Sequence, residues 1–422
     1  KMPGSPIFGV APAAASTATA VDLVMGIVAE SHSPLSKQTP LLPPLPLVGS
    51  IVELQGLSRT ELNGLRGISL SPSVALQQQG RCGICLDDGR QLSVGAANLV
   101  PIVTLDGIPG KGQGAFSRLP LKAGDLVLRE RPALLGRLGQ PPDRRQFKSL
   151  SSDEQRAVMS LHDAYVGGAS GPTLEGIVLT NALPRGARSD ETVLCPLASR
   201  FNHSCAPNAE YLWVESILAE EIRAVRDISV GEEVCVNYFG DAVRQPSGAR
   251  RIQLQEGFRF DCRCPVCTAS GPEKAASDER RACVVRLGED ILRCRERPEE
   301  GIAMAEEMLE IMNIEGISGP RTVAQVCNDG FELSLLIGDD SESQYWAHLS
   351  YEAHRLGWGE DYPMTRRMRQ YAQQPPKLQG SRPTTASTVT GRQRQAKRRD
   401  VKEAETKQVL EQGCDFALTA LD

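Results

Sequence analysis

Aromatic residues are scarce in this chain, at 5% of 422 residues. No apolar run approaches the roughly 20 residues that a bilayer-crossing helix needs, so no membrane partner is expected. An excess of charge of one sign is missing too: 47 Lys and Arg against 52 Asp and Glu leave a formal net charge of −5. No global field therefore argues for nucleic acid or an anionic surface as a partner. Arginine is absent from the first 46 residues, which speaks against an organelle transit peptide despite many small and few acidic residues there. No cysteine lies between Cys85 and Cys195, and the twelve cysteines are scattered apart from one dense cluster. That pattern suits a reducing compartment with a metal site better than a secreted disulfide framework. The length allows two to three domains, and a hydrophobic share of 41% is ordinary for a globular core.

Residues 1–48 read as a disordered leader. They are rich in Ala, Ser, Thr and Pro, and Pro40-Leu41-Leu42-Pro43-Pro44-Leu45-Pro46 removes backbone donors and fixes φ. Residues 49–102 read as short strands. Cys82, Ile84 and Leu86 alternate with Arg81, Gly83 and Cys85, Asp87-Asp88-Gly89-Arg90 turns the chain, and Leu92 and Val94 alternate on the way back. The expected unit is a small SH3-like β-barrel. Cys82 and Cys85 form a C-x-x-C, but they fall on opposite faces of that strand with no second pair nearby, so no zinc is expected there. Gly112-Gln113-Gly114 is a Gly-x-Gly that no regular helix follows, so a phosphate cradle is disfavoured. The two glycines instead offer a sharp turn where a ligand can meet main-chain groups directly.

From Arg144 to Cys195 the chain reads as helical and then irregular. A helix over Asp153–His162 follows the N-cap Ser151-Ser152, and the lone His162 is read as a surface or core residue. Residues 270–372 read as an α-helical domain with helices over 278–297, 299–314, 321–337, 342–356 and 364–372. Leu287, Ile291 and Leu292, then Met304, Met308, Leu309 and Met312, form stripes near the 3.6 period. Residues 373–422 read as a disordered basic tail. Its Gly391-to-Arg399 cluster reads first as a solvated stretch, with a nuclear signal or a nucleic-acid contact as the alternative.

The chemistry concentrates between Arg200 and Cys267. Cys262-x-Cys264-x-x-Cys267 puts three thiols on one tight loop, a zinc-ligand spacing that needs a fourth donor. The candidates are Cys205, Cys195, Cys235, Cys283 and Cys294. Cys235 alternates with valines in a strand, and Cys283 and Cys294 look like helix-face residues. Cys205 lies in the Asn202-His203-Ser204-Cys205 turn, where a thiol is free to aim, and completes the expected four-cysteine Zn2+ site.

Gly112-Gln113-Gly114, then Asn202-His203-Ser204-Cys205 with Pro207-Asn208, then Gly231-Glu232-Glu233 leading to Asn237-Tyr238, then Phe258-Arg259-Phe260 before the thiols, occur in one order. That order resembles the SET-domain protein lysine methyltransferases. The resemblance covers about Val103 to Thr268 and is greatest to the MYND-associated branch and its fungal and protist relatives, with the MYND finger itself missing. The short barrel unit resembles one that accompanies MYND or SET modules in some protists and algae.

The resemblance implies an α+β fold. Its parts would be a β-rich SET domain over 103–269 with a threaded C-terminal strand, a helical insertion at about 136–195, and a post-SET zinc loop at 258–268. It implies S-adenosylmethionine as donor, held by the backbone of Lys111, Gly112, Gln113 and Gly114, by Asn202 and His203, and by the apolar walls of Phe258 and Phe260. It implies Tyr238 as the catalytic residue and cofactor neighbour, and Asn237 as a residue holding the crossing of two segments. Glu232 and Glu233 read as a turn into the strand. The substrate would be a protein lysine, in a histone tail or elsewhere, in the nucleus or cytoplasm. Further protein partners would meet the barrel or the C-terminal helices, and nucleic acid at most the basic tail. The competing expectation is an inactive SET scaffold that works by binding proteins, because the Gly167-to-Pro172 insert looks irregular.

Overall fold

The computed structural model describes residues 46–70, 73–166, 171–186 and 189–377. The basic cluster of the tail and most of the expected leader lie outside the described residues. The N-terminal strands form a five-stranded antiparallel sheet in the order Gln91–Gly95, Arg81–Leu86, Arg66–Ser69, Ile51–Leu54, Leu99–Pro101. The alternation in Arg81–Leu86 buries Cys82, Ile84 and Leu86 with Val52, Leu54, Leu62, Val94 and Leu99. Gly89 turns the hairpin at φ 82°, a conformation that only glycine takes cheaply. This sheet is tied to the next layer through the Ser50–Leu128 bridge and through Arg66, whose Nη1 lies 2.6 Å from Asp125 Oδ2.

Three small antiparallel sheets follow. Val103–Ile108 and Gly112–Ser117 form a hairpin that also pairs with Glu233–Val234. Ala209–Val214, Ala219–Ala224 and Leu126–Glu130 make a second sheet. These two share a core that includes Ile102, Ala115, Val127, Phe201, Ile222, Val234 and Val236. Glu130 and Glu220 are register partners in the second sheet. Glu220 is buried with neither carboxylate oxygen hydrogen-bonded, and the Glu130 carboxylate accepts from the N–H groups of Leu197 and Ala198.

The insertion, expected to be helical and then irregular, carries strands as well as helices. It holds short helices at Arg144–Ser149, Ser152–Met159 and Leu174–Asn181, the second with a capping box between Ser151 and Glu154. Leu134–Arg137, Leu183–Pro184 and Glu191–Leu194 add the third sheet. Leu134, Val193 and Leu194 are buried, so sheet burial decides these segments rather than local propensity.

Among the described residues five long helices come last: Gly271–Ile291, Pro298–Ile314, Pro320–Ile337, Asp340–Trp358 and Pro363–Gln373. Met308 and Met312 are core residues, as their spacing indicates. The first helix begins seven residues before the expected start, because its opening turns are polar and carry no apolar stripe. It also ends at Ile291, which leaves Leu292 69% exposed instead of on the stripe. A helix at Ser247–Phe258, missed in the sequence, leads into the thiol loop. Trp346, Phe331, Met308 and Leu254 share one continuous core with Cys205, Cys262, Cys264 and Cys267.

Candidate functional site

The thiols come together. Cys264 precedes the short helix Pro265–Thr268 as its N-cap, and the Cys267 N–H donates to the Cys264 carbonyl at 2.9 Å. Cys205 reaches them from 62 residues away in sequence, with its Sγ 3.5 Å from Cys267 Sγ. All four sulfurs are buried and lie within 4.8 Å of one another. A tetrahedral zinc ion with Zn–S bonds of about 2.3 Å needs sulfur–sulfur edges of about 3.8 Å, so this all-sulfur donor set fits zinc. Cys195, Cys235, Cys283 and Cys294 are not part of the group.

The glycine turn stands opposite. Gly110 and Gly112 have φ values of 75° and 79°, and the Lys111 N–H donates to the Ile108 carbonyl at 3.0 Å. Gly114 is held by neighbours: a Cβ there would lie 2.5 Å from Ile108 Cδ1 and 2.9 Å from Asn202 Nδ2 and Glu233 Oε1. Asn202 Nδ2 donates to the Gln113 carbonyl at 3.0 Å and to Glu233 Oε1 at 2.8 Å. Glu233 also meets Lys111 Nζ at 3.4 Å. One carboxylate thus ties the glycine turn to the Asn-His turn.

Residues 202–204 and 235–237 run side by side. His203 bridges Val236 in parallel, the Val236 N–H donates to the Asn202 carbonyl at 2.9 Å, and the Ser204 N–H donates to the Val236 carbonyl at 3.0 Å. Asn208, not Asn237, ties the chain beside these segments together. Its Nδ2 donates to Glu232 Oε1 and to the Glu233 carbonyl, both at 2.9 Å, and its Oδ1 accepts from the Cys235 N–H at 2.7 Å. Asn237 turns back on its own chain instead, donating to the Gly240 carbonyl at 2.6 Å and accepting from the Phe239 N–H.

A cavity of about 480 Å³ opens between these parts. Lys111, Gly112, Gln113, Asn202, His203, Tyr238, Phe258, Phe260, Cys262 and Cys264 all line it, while Gly114 stands one residue beyond. Its volume lies in the range of small-molecule sites. Apolar wall comes from Leu183, Ile222 and Val236. Tyr238 packs against Phe258 and His203 with ring centroids 5.0 Å and 5.3 Å away, and its hydroxyl donates to the Phe201 carbonyl at 2.8 Å. Burial pushes the phenol up, so the hydroxyl stays protonated. His203 has both ring nitrogens engaged: Nδ1 accepts from the Tyr238 N–H at 3.2 Å, and Nε2 lies 3.4 Å from Cys205 Sγ. Burial pushes its pKa down to about 4, so the ring is neutral. What His203 offers a ligand is therefore its ring face or main chain, not a free nitrogen.

His162 is exposed at the cavity wall, a surface histidine. Three participants have roles that the sequence alone does not show. Glu233 and Asn208 were visible within the quoted motifs but had no long-range partner to suggest their roles. Arg250, buried beside Cys267 with Nη2 3.9 Å from its sulfur, sits on the unread helix.

Residues 112–239 match the SET domain family. Over 272 residues the chain is 26% identical to the histone-lysine N-methyltransferase set5 of Schizosaccharomyces pombe, covering 64% of this chain and 82% of that protein. A stretch of 84 residues is 37% identical to the protein-lysine N-trimethyltransferase SMYD5 of Mus musculus, and it spans 20% of each. Over 163 residues the chain is 25% identical to the N-lysine methyltransferase SMYD2 of Homo sapiens, with 38% of this chain and 35% of that one covered. The chain thus matches most of the yeast relative's length but only a fifth to a third of these two animal relatives.

Proposed function

From a chain that carries a SET domain and is related to protein-lysine methyltransferases, we propose the transfer of a methyl group from S-adenosylmethionine to the ε-amine of a protein lysine, in a histone tail or another protein. The observation that carries this reading is the shared cavity. The glycine turn, the Asn-His turn, Tyr238 and the two phenylalanines come from four separate stretches of sequence and line one space. We further read the crossing at 202–204 and 235–237 as the threaded strand of the SET domain, and 49–102 as an SH3-like module that offers a protein-binding surface. The remaining boundaries in this reading are a SET domain over 103–269, with its insertion at about 136–195 and zinc loop at 258–268, and a helical domain over 270–372. Among the described residues no helix is long and apolar enough to cross a membrane; action in the nucleus or cytoplasm accords with this proposal.

When bound, S-adenosylmethionine supplies a sulfonium methyl open to in-line attack by an amine. The main chain of Lys111, Gly112, Gln113 and Gly114 would hold its methionine end, with Asn202 and His203 beside it. Phe258 and Phe260 would flank the flat adenine. The apolar wall of Leu183, Ile222 and Val236 disfavours an ammonium and so favours the neutral amine that can react. Tyr238 donates its proton to the Phe201 carbonyl, which leaves the phenol oxygen as an acceptor that orients the amine. A zinc ion held by Cys205, Cys262, Cys264 and Cys267 would fix the loop bearing Phe260 against the turn bearing His203.

The test is incubation of the purified chain with labelled donor and lysate proteins, followed by mass-spectrometric mapping of methylated peptides. Label on lysine is expected, and Tyr238→Phe should lower the rate about 100-fold or more while the chain stays folded. Donor binding without any label transfer would instead favour the inactive scaffold. Stripping zinc with a chelator should weaken donor binding, read by calorimetry, as well as lower the melting temperature. Unchanged donor affinity in metal-free folded protein would refute the coupling between the two.

A further inference from the structure

Arg250 lies on the helix Ser247–Phe258 with 0% of its surface exposed. Its Nη1 donates to the Gln245 carbonyl at 2.6 Å, its Nη2 faces Cys267 Sγ at 3.9 Å, and its Nε has no hydrogen-bond partner. Among the described residues no carboxylate lies within ion-pair distance of it. A buried guanidinium with no anion is strongly destabilising, so an anion must face it. The neighbouring buried arginine, Arg281, already has one: its Nε donates to Glu315 Oε2 at 2.8 Å. Arg281 spends its other nitrogens on the carbonyls of Val243, Glu315 and Cys205, the last at 3.0 Å. For Arg250 the available anion is the sulfur cluster.

The cluster has the converse need. Four thiolates around a divalent cation leave a net negative charge, and all four cysteines are buried away from water. We propose that Arg250 is the counter-charge of the four-cysteine centre, its guanidinium neutralising part of the metal–thiolate charge and orienting Cys267, while Arg281 fixes Cys205 from the other side through its carbonyl. The inference rests on the zinc reading above. Arg250 acts here as a positioning residue: it touches a ligand of the metal and lies outside the lining of the cavity. Arg281 stands on Gly271–Ile291, so the first long helix of the C-terminal region is fastened to the same centre.

The experiment uses the full chain and reads zinc by a competing colorimetric chelator. Zinc bound by the unaltered chain near one ion per chain supports the underlying reading, and folded chain that takes up none overturns that reading and this inference together. Arg250→Lys and Arg250→Gln both keep an N–H donor, but only the first keeps the charge. The expected result is near-native zinc affinity for Arg250→Lys and a loss of about tenfold or more for Arg250→Gln, as is typical when an outer-shell partner is removed. Equal affinities in the two variants, with zinc held normally by the unaltered chain, would overturn the counter-charge role alone. Cobalt substitution gives a second readout that survives marginal folding. The sulfur-to-cobalt charge-transfer band should shift in Arg250→Gln and return in Arg250→Lys, and an unmoved band in both variants counts against the proposal.

Discussion

Gly114 is the glycine of the turn whose missing side chain matters most. A Cβ there would collide with Ile108 Cδ1 and press on both Asn202 and Glu233. Gly114→Ala should therefore cost about 1–3 kcal/mol of stability, typical of overpacking, and pull the Asn202–Gln113 contact apart. Donor affinity should fall about tenfold or more by calorimetry, and an affinity equal to that of the unaltered chain would show that the turn does not hold the donor. Gly112 differs: a Cβ there meets nothing within 4 Å, and its φ of 79° alone disfavours a side chain. The sequence pointed to both glycines, and to Asn202, His203 and Tyr238, because each belongs to a short recognisable motif. It was silent on what their atoms face. That His203 spends one nitrogen on Tyr238 and the other on Cys205 depends on segments joined only by folding.

At the scale of elements, Asn208 joins the pairing of 202–204 with 235–237. Its side chain donates to Glu232 and Glu233 and accepts from the Cys235 N–H, in a site where Asn208 is 3% exposed. Asn208→Ala would leave that N–H and the Glu233 carbonyl without a side-chain partner. A cost of about 3 kcal/mol is expected, read as a lower urea midpoint at constant slope. A change within about 0.5 kcal/mol would mean that the crossing is held by its backbone bonds alone. The long C-terminal helices were legible because their apolar stripes are long and periodic. Ser247–Phe258 was not: it carries Gly248 and Gly257, and it buries Arg250 where a hydrophobic residue would be expected. Its end is equally atypical, with Arg259 capping in the left-handed region at φ 59°. The guanidinium of Arg259 lies 5.4 Å from the centroid of the Tyr165 ring, and the Tyr165 hydroxyl donates to the Gly257 carbonyl at 2.9 Å. A contact with the insertion therefore accompanies the cap.

Over the whole molecule, buried acid sets a pH dependence. Burial pushes Glu220 up to about 8, with Glu130 and Glu221 adding to the rise and Arg321 opposing it. Burial likewise pushes Glu130 up to about 7, against the N–H donors of Leu197 and Ala198. Both would ionise near 4.5 in the unfolded chain. Between these values the unfolded chain has released the protons that the folded one keeps, so the contribution of these two groups to stability falls as pH rises from about 4.5 to about 8, while His203, held down at about 4, works the other way up to about 6.5. Glu220→Gln keeps a neutral group of the same shape and removes its share of the slope. It should add about 3 kcal/mol at pH 8 and little at pH 5, by urea unfolding at both. An equal effect at the two pH values would show that Glu220 does not keep its proton. Nothing in the sequence around Glu220 sets it apart from other glutamates, since its burial arises only in the fold.

The Ser50–Leu128 bridge has one more implication. Leu126–Glu130 is an outer strand of its sheet, and Ser50 is what meets its open side. Gly49 lies so close that a Cβ would come within 2.8 Å of the Arg129 carbonyl. A chain shortened to begin at Val103 would keep every cavity residue yet bare that strand, offering unpaired N–H and C=O groups to a second copy. The N-terminal sheet thus covers an edge that would otherwise stand open to edge-to-edge pairing.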